Sequence, residues 1–318
     1  MTGSAPETMR AVFYQRTGQV DVLEYGTLPF PVPGPGQVLV RLAAAGVSPL
    51  DWKLRSGLLA AHFTPAFPKI PGRDGTGTVL ALGEGVTGFA PGDRVAVMAP
   101  PAGSAGTSAE AIAAEAALTV LLPENLGFTE AAAIINPGLS AFIAARHTAG
   151  VRPGQRVFVQ AGAGAVGGLL VQLCVHLGAE VTATCRADNM DYVLGLGAQR
   201  AIAYDRPFPG DVPPQDVVFD LMGGAVHDAC YPLLARGGHL VWLTAAPITE
   251  RGEAFGVRVS RAMIADDARV VAEVLSLASR GILRPQLAGV LPLQQIPEAH
   301  QRLAAGQVTR GRLVVTSG

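Results

Sequence analysis

A chain that places 161-AGAGAVGG-168 directly after the apolar run 156-RVFVQ-160, and opens from it into 166-VGGLLVQLCVHLG-178, has few folds open to it. Gly162, Gly164 and Gly167 stand in the spacing G-x-G-x-x-G, which a chain with 39 glycines also produces by accident, so the flanks must decide. A short buried-type strand comes before the glycines and an apolar helix follows at once. In such a unit Gly162 serves the tight turn, Gly164 lets backbone approach a pyrophosphate, and Gly167 lets the helix pack closely on the strand. The helix N-terminus, entered through Ala163, Ala165 and Val166, offers free N–H groups and a positive dipole end to phosphate. The expectation is a dinucleotide site over 162–167. The run from Val157 to Ala179 has no charged residue, but five glycines interrupt it, so strand, turn and helix is a better reading than a membrane span.

Strands and helices alternate around that loop. The strand-like runs 180-EVTATC-185, 200-RAIAY-204, 217-VVFDLM-222 and 238-GHLVWLT-244 are separated by helix-like runs over 166–177, 189–196 and 225–235. This pattern predicts a parallel, doubly wound sheet and an α/β fold class. An alanine-rich helical stretch over 129–150 precedes it, with an interruption expected at Pro137-Gly138. The first 120 residues read differently. Short runs such as 38-VLVRLAAAG-46, 77-GTVLALG-83 and 93-DRVAVMA-99 are punctuated by Pro- and Gly-rich turns, which predicts an all-β, barrel-like module. The tail reads strand, helix, strand and is expected to return to that module. A discontinuous domain of 1–125 and 263–318 would then embrace a cofactor domain of 126–262. Two domains suit 318 residues, because single cores stop growing at about 250–300 residues.

A net charge of −1 gives no electrostatic case for nucleic acid or an acidic membrane surface. Cys174, Cys185 and Cys230 are odd in number and scattered, so a reduced, cytoplasmic setting is expected. The lead MTGSAPETMR has no apolar core of a secretion signal. The second strand ends at Arg186, where a chain selecting the unphosphorylated dinucleotide would carry an acid for the ribose hydroxyls. A guanidinium there suits a 2′-phosphate instead, at about 1.5–3 kcal/mol for the charge-assisted hydrogen bonds, so the expected cofactor is NADPH. The alternative is a solvent-facing arginine neutralised by Asp188.

The stretches 46-GVSPLDWKLRSG-57, 65-PAFPKIPGRDGTGTV-79, 91-PGDRVA-96, 122-LPENLGFTEAAAI-134 and 195-GLGAQRAIAYD-205, taken with the domain order, resemble the medium-chain dehydrogenase/reductase superfamily over nearly the full chain. The resemblance implies a GroES-like β-barrel catalytic domain beside a Rossmann cofactor domain. Zinc alcohol dehydrogenases of that superfamily carry a GVC-H motif and a GHE motif. Here the matching positions read Gly46-Val47-Ser48-Pro49 and Gly72-Arg73-Asp74, and 98-MAPPAGSAGTSAE-110 has no cysteine. A catalytic zinc needs three N, S or O protein ligands, and no metal is expected. The chain looks like the zinc-free quinone oxidoreductase (zeta-crystallin-like) branch, which includes enoyl reductases. That branch passes hydride from NADPH to a quinone or to the β-carbon of an α,β-unsaturated carbonyl, an acceptor that needs no metal.

The same resemblance supplies candidate residues. Ser48 stands where the family has an asparagine beside the nicotinamide. Asp51 is either a polar site residue or a cap that holds its loop through backbone N–H groups. Leu58 and Leu59 stand where a tyrosine is common, so protonation falls to solvent, Lys53 or His62. Asn136 and Ser140 match the segment near the nicotinamide ribose, and Tyr204 a tyrosine near the adenosine phosphate. Met222, Gly223, Leu243 and Thr244 lie at the carboxyl edge of the sheet and are expected to contact cofactor through backbone atoms. The apolar run 57–67 is expected to help line a pocket for a hydrophobic enone or quinone, polyketide-like acceptors included. Two other functions remain open: a non-catalytic NADPH-binding protein, and a cyclase or isomerase without net redox. The family resemblance also implies a homodimer through an edge strand at 255–261.

Overall fold

The computed structural model describes residues 6–205, 212–244 and 248–317. In chain order its elements are β1 Thr8–Phe13, β2 Glu24–Pro29, β3 Gln37–Val47, α1 Pro49–Arg55, β4 Asp74–Leu82, β5 Arg94–Met98, β6 Ala111–Glu115, β7 Thr119–Leu121 and α2 Phe128–Phe142. Then follow β8 Arg156–Val159, α3 Ala165–His176, β9 Glu180–Cys185, α4 Met190–Gly195, β10 Arg200–Ala203, β11 Gln215–Asp220, α5 Ala225–Cys230 and β12 Leu234–Trp242. The chain closes with α6 Gly252–Phe255, β13 Arg258–Arg261, α7 Ala268–Ser279, β14 Leu287–Pro292, α8 Ile296–Ala304 and β15 Arg312–Thr316.

The strands form two large sheets and a small β1-β2 ribbon. One sheet has the order β10-β9-β8-β11-β12-β13, parallel throughout. Counted from β8 this is 3-2-1-4-5-6, with the reversal of direction between β8 and β11, where doubly wound sheets open a ligand crevice. The interior strands are apolar on both faces: Val157, Phe158, Val159, Val218 and Phe219 are all fully buried, as helices on both sides require. The other sheet runs β14-β15-β3-β4-β5-β7, with β6 also on β3. Strand β3 bends enough to serve three partners. It pairs β6 through Gln37–Arg41, β15 through Ala44–Val47 and β4 along its length, with irregularities at Leu39/Val40 and Leu42/Ala44 that supply the bend. The tail therefore returns to the first sheet, as the sequence suggests.

Two helical expectations need correction. Helix α2 runs without a break through Pro137 to Phe142 and continues as a wider-turned helix to Ala149. A proline inside a helix lacks an N–H and crowds the carbonyl four residues earlier. A buried ion pair enters the helix at the adjacent turn. Asp74 accepts the Asn136 N–H at 3.2 Å, and Arg312 donates to the Ala132 carbonyl at 3.1 Å. The two side chains grip each other through two contacts of 2.6 Å. The helix expected over 225–235 ends at Cys230, since Pro232 allows only a short 3-10 turn before Leu234 enters β12. The stretch Phe128–Ala149 is long and apolar enough to cross a membrane by length and composition, but most of it is buried inside this fold.

Candidate functional site

The glycine loop lies at the reversal point of the parallel sheet. The residue with left-handed backbone is Ala161, at φ 53°, and not Gly162. A non-glycine residue pays about 1–2 kcal/mol for this conformation. Gly162 is needed for a different reason than the one expected: a Cβ there would meet Ala183 Cβ at 2.7 Å. A Cβ on Gly167 would meet the Ala161 carbonyl oxygen at 2.1 Å, so the helix packs on the loop as closely as its motif requires. The turn is held from below by the Ala161 N–H on Thr184 Oγ1 (3.1 Å) and the Gly162 N–H on the Thr184 carbonyl (2.7 Å). Helix α3 then starts at Ala165 with no side-chain cap at Gly164 and no acid in its first turn. An uncapped, twelve-residue helix with its first N–H groups at a crevice favours an external anion.

The crevice is a cavity of about 240 Å³. Ser140, Gly164, Val166, Gly167 and Leu243 of the expected residues line it, joined by Ala161, Leu221 and Ile264, which the sequence does not mark out. Asn136 lies one turn before Ser140, whose hydroxyl donates back to the Asn136 carbonyl at 3.0 Å. For Met222, Gly223 and Leu243 the expected backbone contacts are narrowed. The Met222 and Gly223 N–H groups both donate to Asp220 Oδ1, at 2.8 and 2.9 Å, and the Leu243 N–H donates to the Asp220 carbonyl at 3.1 Å. These amides are taken, which leaves carbonyls and side chains. Asp220 is in turn held by His227, whose Nδ1 lies 2.8 Å from Oδ2 while Nε2 lies 3.1 Å from the Tyr231 hydroxyl. All three side chains are buried, so the loop after β11 is fixed from inside the fold.

Arg186 follows β9 and is exposed. It forms no ion pair with Asp188 among the described residues; the nearby Asp205 carboxylate is engaged by the Ala187 N–H at 3.1 Å. Tyr204 is 55% exposed and lines, with Gln160 and Thr184, a second and largely apolar pocket of about 540 Å³ beside α5. The returning tail reaches this end of the site too. The Gly311 N–H donates to the Ala163 carbonyl at 2.9 Å, and Asn189 Nδ2 donates to the Thr309 carbonyl at 3.2 Å.

On the barrel side Ser48 precedes α1, which Pro49 starts with its fixed φ. Ser48 Oγ is buried without a hydrogen-bond partner. Asp51 is 3% exposed and accepts the Ser48 N–H at 2.7 Å and the Gly72 N–H at 3.3 Å, so it holds two loops together. Burial pushes its carboxyl above the usual range, against the pull of the Ser48 N–H and Arg312. Lys53 is half-buried, with Nζ 5.8 Å from the Trp52 ring, and His62 is exposed. Neither makes a hydrogen bond to Ser48 or Asp51. Of 57–67, Leu59 is buried, Leu58 is 65% exposed, and Phe67 packs edge-on against Tyr14. Lys69, not anticipated, is 3% exposed. It donates to the Ala105 carbonyl at 2.7 Å, and burial lowers its ammonium to about 8.

The positions that would hold zinc by motif have other commitments. Arg73 donates from Nε to the Ala99 carbonyl at 2.9 Å, and its other arm grips Asp266 at 2.5 and 2.7 Å. Asp74 is locked to Arg312. Among the described residues no three His, Cys, Asp or Glu side chains converge, and the three thiols are buried apart. The donor set does not suit a catalytic metal, because a guanidinium cannot ligate one.

A parallel sheet carrying a glycine-loop crevice, tied through the returning tail to a bent, mainly antiparallel sheet, is the architecture of dinucleotide-binding oxidoreductases. Residues 34–145 match the family described as "Alcohol dehydrogenase GroES-like domain" and residues 196–315 match "Zinc-binding dehydrogenase". The chain is 31% identical to the NADPH-dependent alkenal/one oxidoreductase of Arabidopsis thaliana, over 98% of this chain and 80% of that protein. It is 33% identical to the chloroplast envelope quinone oxidoreductase homolog of the same plant, over 71% of each. The quinone oxidoreductase structure from Coxiella burnetii superposes with a TM-score of 0.88 at 28% identity, covering 98% of this chain and all of that one. The chain belongs to the medium-chain dehydrogenase/reductase superfamily.

Proposed function

We propose that the protein is an NADPH-dependent, zinc-independent reductase that delivers hydride to a quinone or to the activated C=C bond of a hydrophobic acceptor. The observation that carries this reading is the chemistry around Ser48. The Ser48 hydroxyl is buried without a hydrogen-bond partner, and the second motif position is a guanidinium committed to a carboxylate. Nothing there provides the Lewis acid that alcohol oxidation uses, while a polarised enone or quinone needs only orientation and a hydrogen bond to its oxygen.

The residues present fit NADPH. The uncapped start of α3 suits the pyrophosphate, Arg186 suits the 2′-phosphate, and the polar groups of Asn136 and Ser140 suit the nicotinamide ribose. When bound, NADPH supplies a hydride at its nicotinamide ring. The chain's own part is to exclude water with Leu221, Leu243 and Ile264 and to offer the Ser48 hydroxyl to developing negative charge on the acceptor oxygen. The carboxyl beside Ser48, Asp51, already accepts the Ser48 and Gly72 N–H groups, so the proton that completes reduction comes from solvent through the Ser48 hydroxyl or from Lys53 or His62. We further propose a homodimer joined along β13, one of the two edge strands of the parallel sheet, and a reducing cytoplasmic setting for its buried free thiols.

The test is to mix the chelator-treated protein with NADPH and a panel of quinones and enones and to follow absorbance at 340 nm. Oxidation that persists after chelation supports the proposal. NADPH binding without oxidation makes the protein a binding member of the family. Product formed without loss of NADPH makes it a non-redox catalyst.

A further inference from the structure

We propose that the Arg73–Asp266 ion pair is a latch that holds 262–267 as a strap across the mouth of the cofactor crevice, with Ile264 as the side chain that closes it. The strap joins β13 to α7, and both its ends are fixed to the cofactor side. The Ala262 N–H donates to the Trp242 carbonyl at 2.9 Å, and Asp267 caps α7 by accepting the Arg269 N–H at 2.9 Å. Between these anchors the chain has no regular structure. Met263 is 70% exposed and Ile264 38%, although Ile264 lines the crevice beside Gly164, Gly167 and Ser140. Among the described residues Met263, Ile264 and Ala265 make no hydrogen bond, so the middle of the strap is held by Asp266 alone.

The barrel side of the latch is stiff. The Arg73 Nε bonds the Ala99 carbonyl, and the Ala99 N–H returns to the Arg73 carbonyl at 2.7 Å, which sets the guanidinium before Asp266 meets it. Side-chain exposures of 12% and 20% shield the pair from water. A segment anchored at both ends and tied once in the middle opens by losing that one tie, without unfolding either sheet. Arg73 thus converts a position that serves a metal in zinc-bearing relatives into the contact that sets how long the crevice stays shut.

This inference rests on the proposed NADPH site only for its effect on cofactor release, so two readouts keep the claims apart. Hydrogen exchange of the ligand-free protein is compared for wild type, Asp266→Asn, Arg73→Gln and the charge swap Arg73→Asp with Asp266→Arg, and NADPH release from each is timed by stopped-flow fluorescence. The latch predicts exchange at the hydrogen-bonded amides that flank the tie, those of Ala262, Ala99 and Arg269, about tenfold faster in either single variant, release about tenfold faster, and recovery of both in the swap. Unchanged exchange in singly substituted proteins that melt normally overturns the latch. Should wild type bind no NADPH, the reductase reading falls and the exchange comparison still decides the strap. If exchange responds and release does not, the strap is a tether and the gating claim is wrong.

Discussion

Substitution at Asp74 tests how strongly the buried Asp74–Arg312 pair, which enters α2 beside Pro137, couples the barrel to this helix. Asp74 and Arg312 have side chains 0% and 2% exposed and meet through two contacts of 2.6 Å. Asp74→Ala strands the guanidinium in the core and takes away the acceptor of the Asn136 N–H. Removing one partner of a buried pair costs roughly 3–5 kcal/mol, a large part of a typical net stability of about 5–15 kcal/mol. Asp74→Leu with Arg312→Met removes both charges together and leaves the Ala132 carbonyl and Asn136 N–H, a helical i, i+4 pair, to bond each other. The double replacement is expected to cost at least about 2 kcal/mol less than the sum of the single ones. Urea denaturation followed by far-UV circular dichroism on the four proteins of the cycle measures this. Additivity within about 0.5 kcal/mol would refute the coupling. Gly46→Ala should resemble the loss of Arg312, because a Cβ there would meet the guanidinium carbon at 2.2 Å.

Three further outcomes are expected. Arg186→Ala should weaken NADPH binding by tenfold or more and leave NADH almost unchanged in fluorescence titrations; equal losses would remove Arg186 from the 2′-phosphate. Gly167→Ala should weaken NADPH binding by at least tenfold, because its Cβ would displace the Ala161 carbonyl and the glycine loop with it; an unaltered Kd would contradict the close packing of α3. His300 is fully buried, neither ring nitrogen has a partner, and burial lowers its imidazolium to about 3. The unfolded chain takes up a proton near pH 6.5 while the folded protein takes it up only near 3. Stability should therefore fall as pH drops between those values, by a few kcal/mol at the acid end. His300→Leu should flatten that part of a denaturation-midpoint profile, and an unchanged slope would show that the ring carries no such penalty.

The parallel sheet was legible because its signals are local. A buried strand, a glycine loop and an apolar helix follow one another within 156–177, and the observed strands start and stop within a few residues of the apolar runs. The loop's fine structure was not legible, since the left-handed residue is an alanine and Gly162 is demanded by Ala183 across the sheet. Pro137 reads locally as a break; the side chains that bond the turn beside it, Asp74 and Arg312, lie 62 and 180 residues away from the helix groups they meet. Arg73 was visible as a departure from a metal motif, but its partner is 193 residues distant, and no periodicity encodes such a pairing. Asp220 with His227 was within reach of sequence, because Asp220 ends a strand, and two paired amides at a strand end call for an acceptor of this kind. The catalytic face stays the least legible part, because among the described residues no hydrogen bond links Ser48, Lys53 and His62 to fix their roles.

The central claim is that hydride passes from NADPH to an electron-poor carbon or quinone and not to a carbonyl carbon. The most direct measurement is a reaction with both 4-position isotopomers of deuterated NADPH and an α,β-unsaturated ketone, in chelator-treated protein, with the product read by NMR. The account predicts deuterium at the β-carbon of a saturated ketone from one isotopomer. Deuterium on the carbinol carbon of an allylic alcohol, or activity that appears only when zinc is restored, would contradict it.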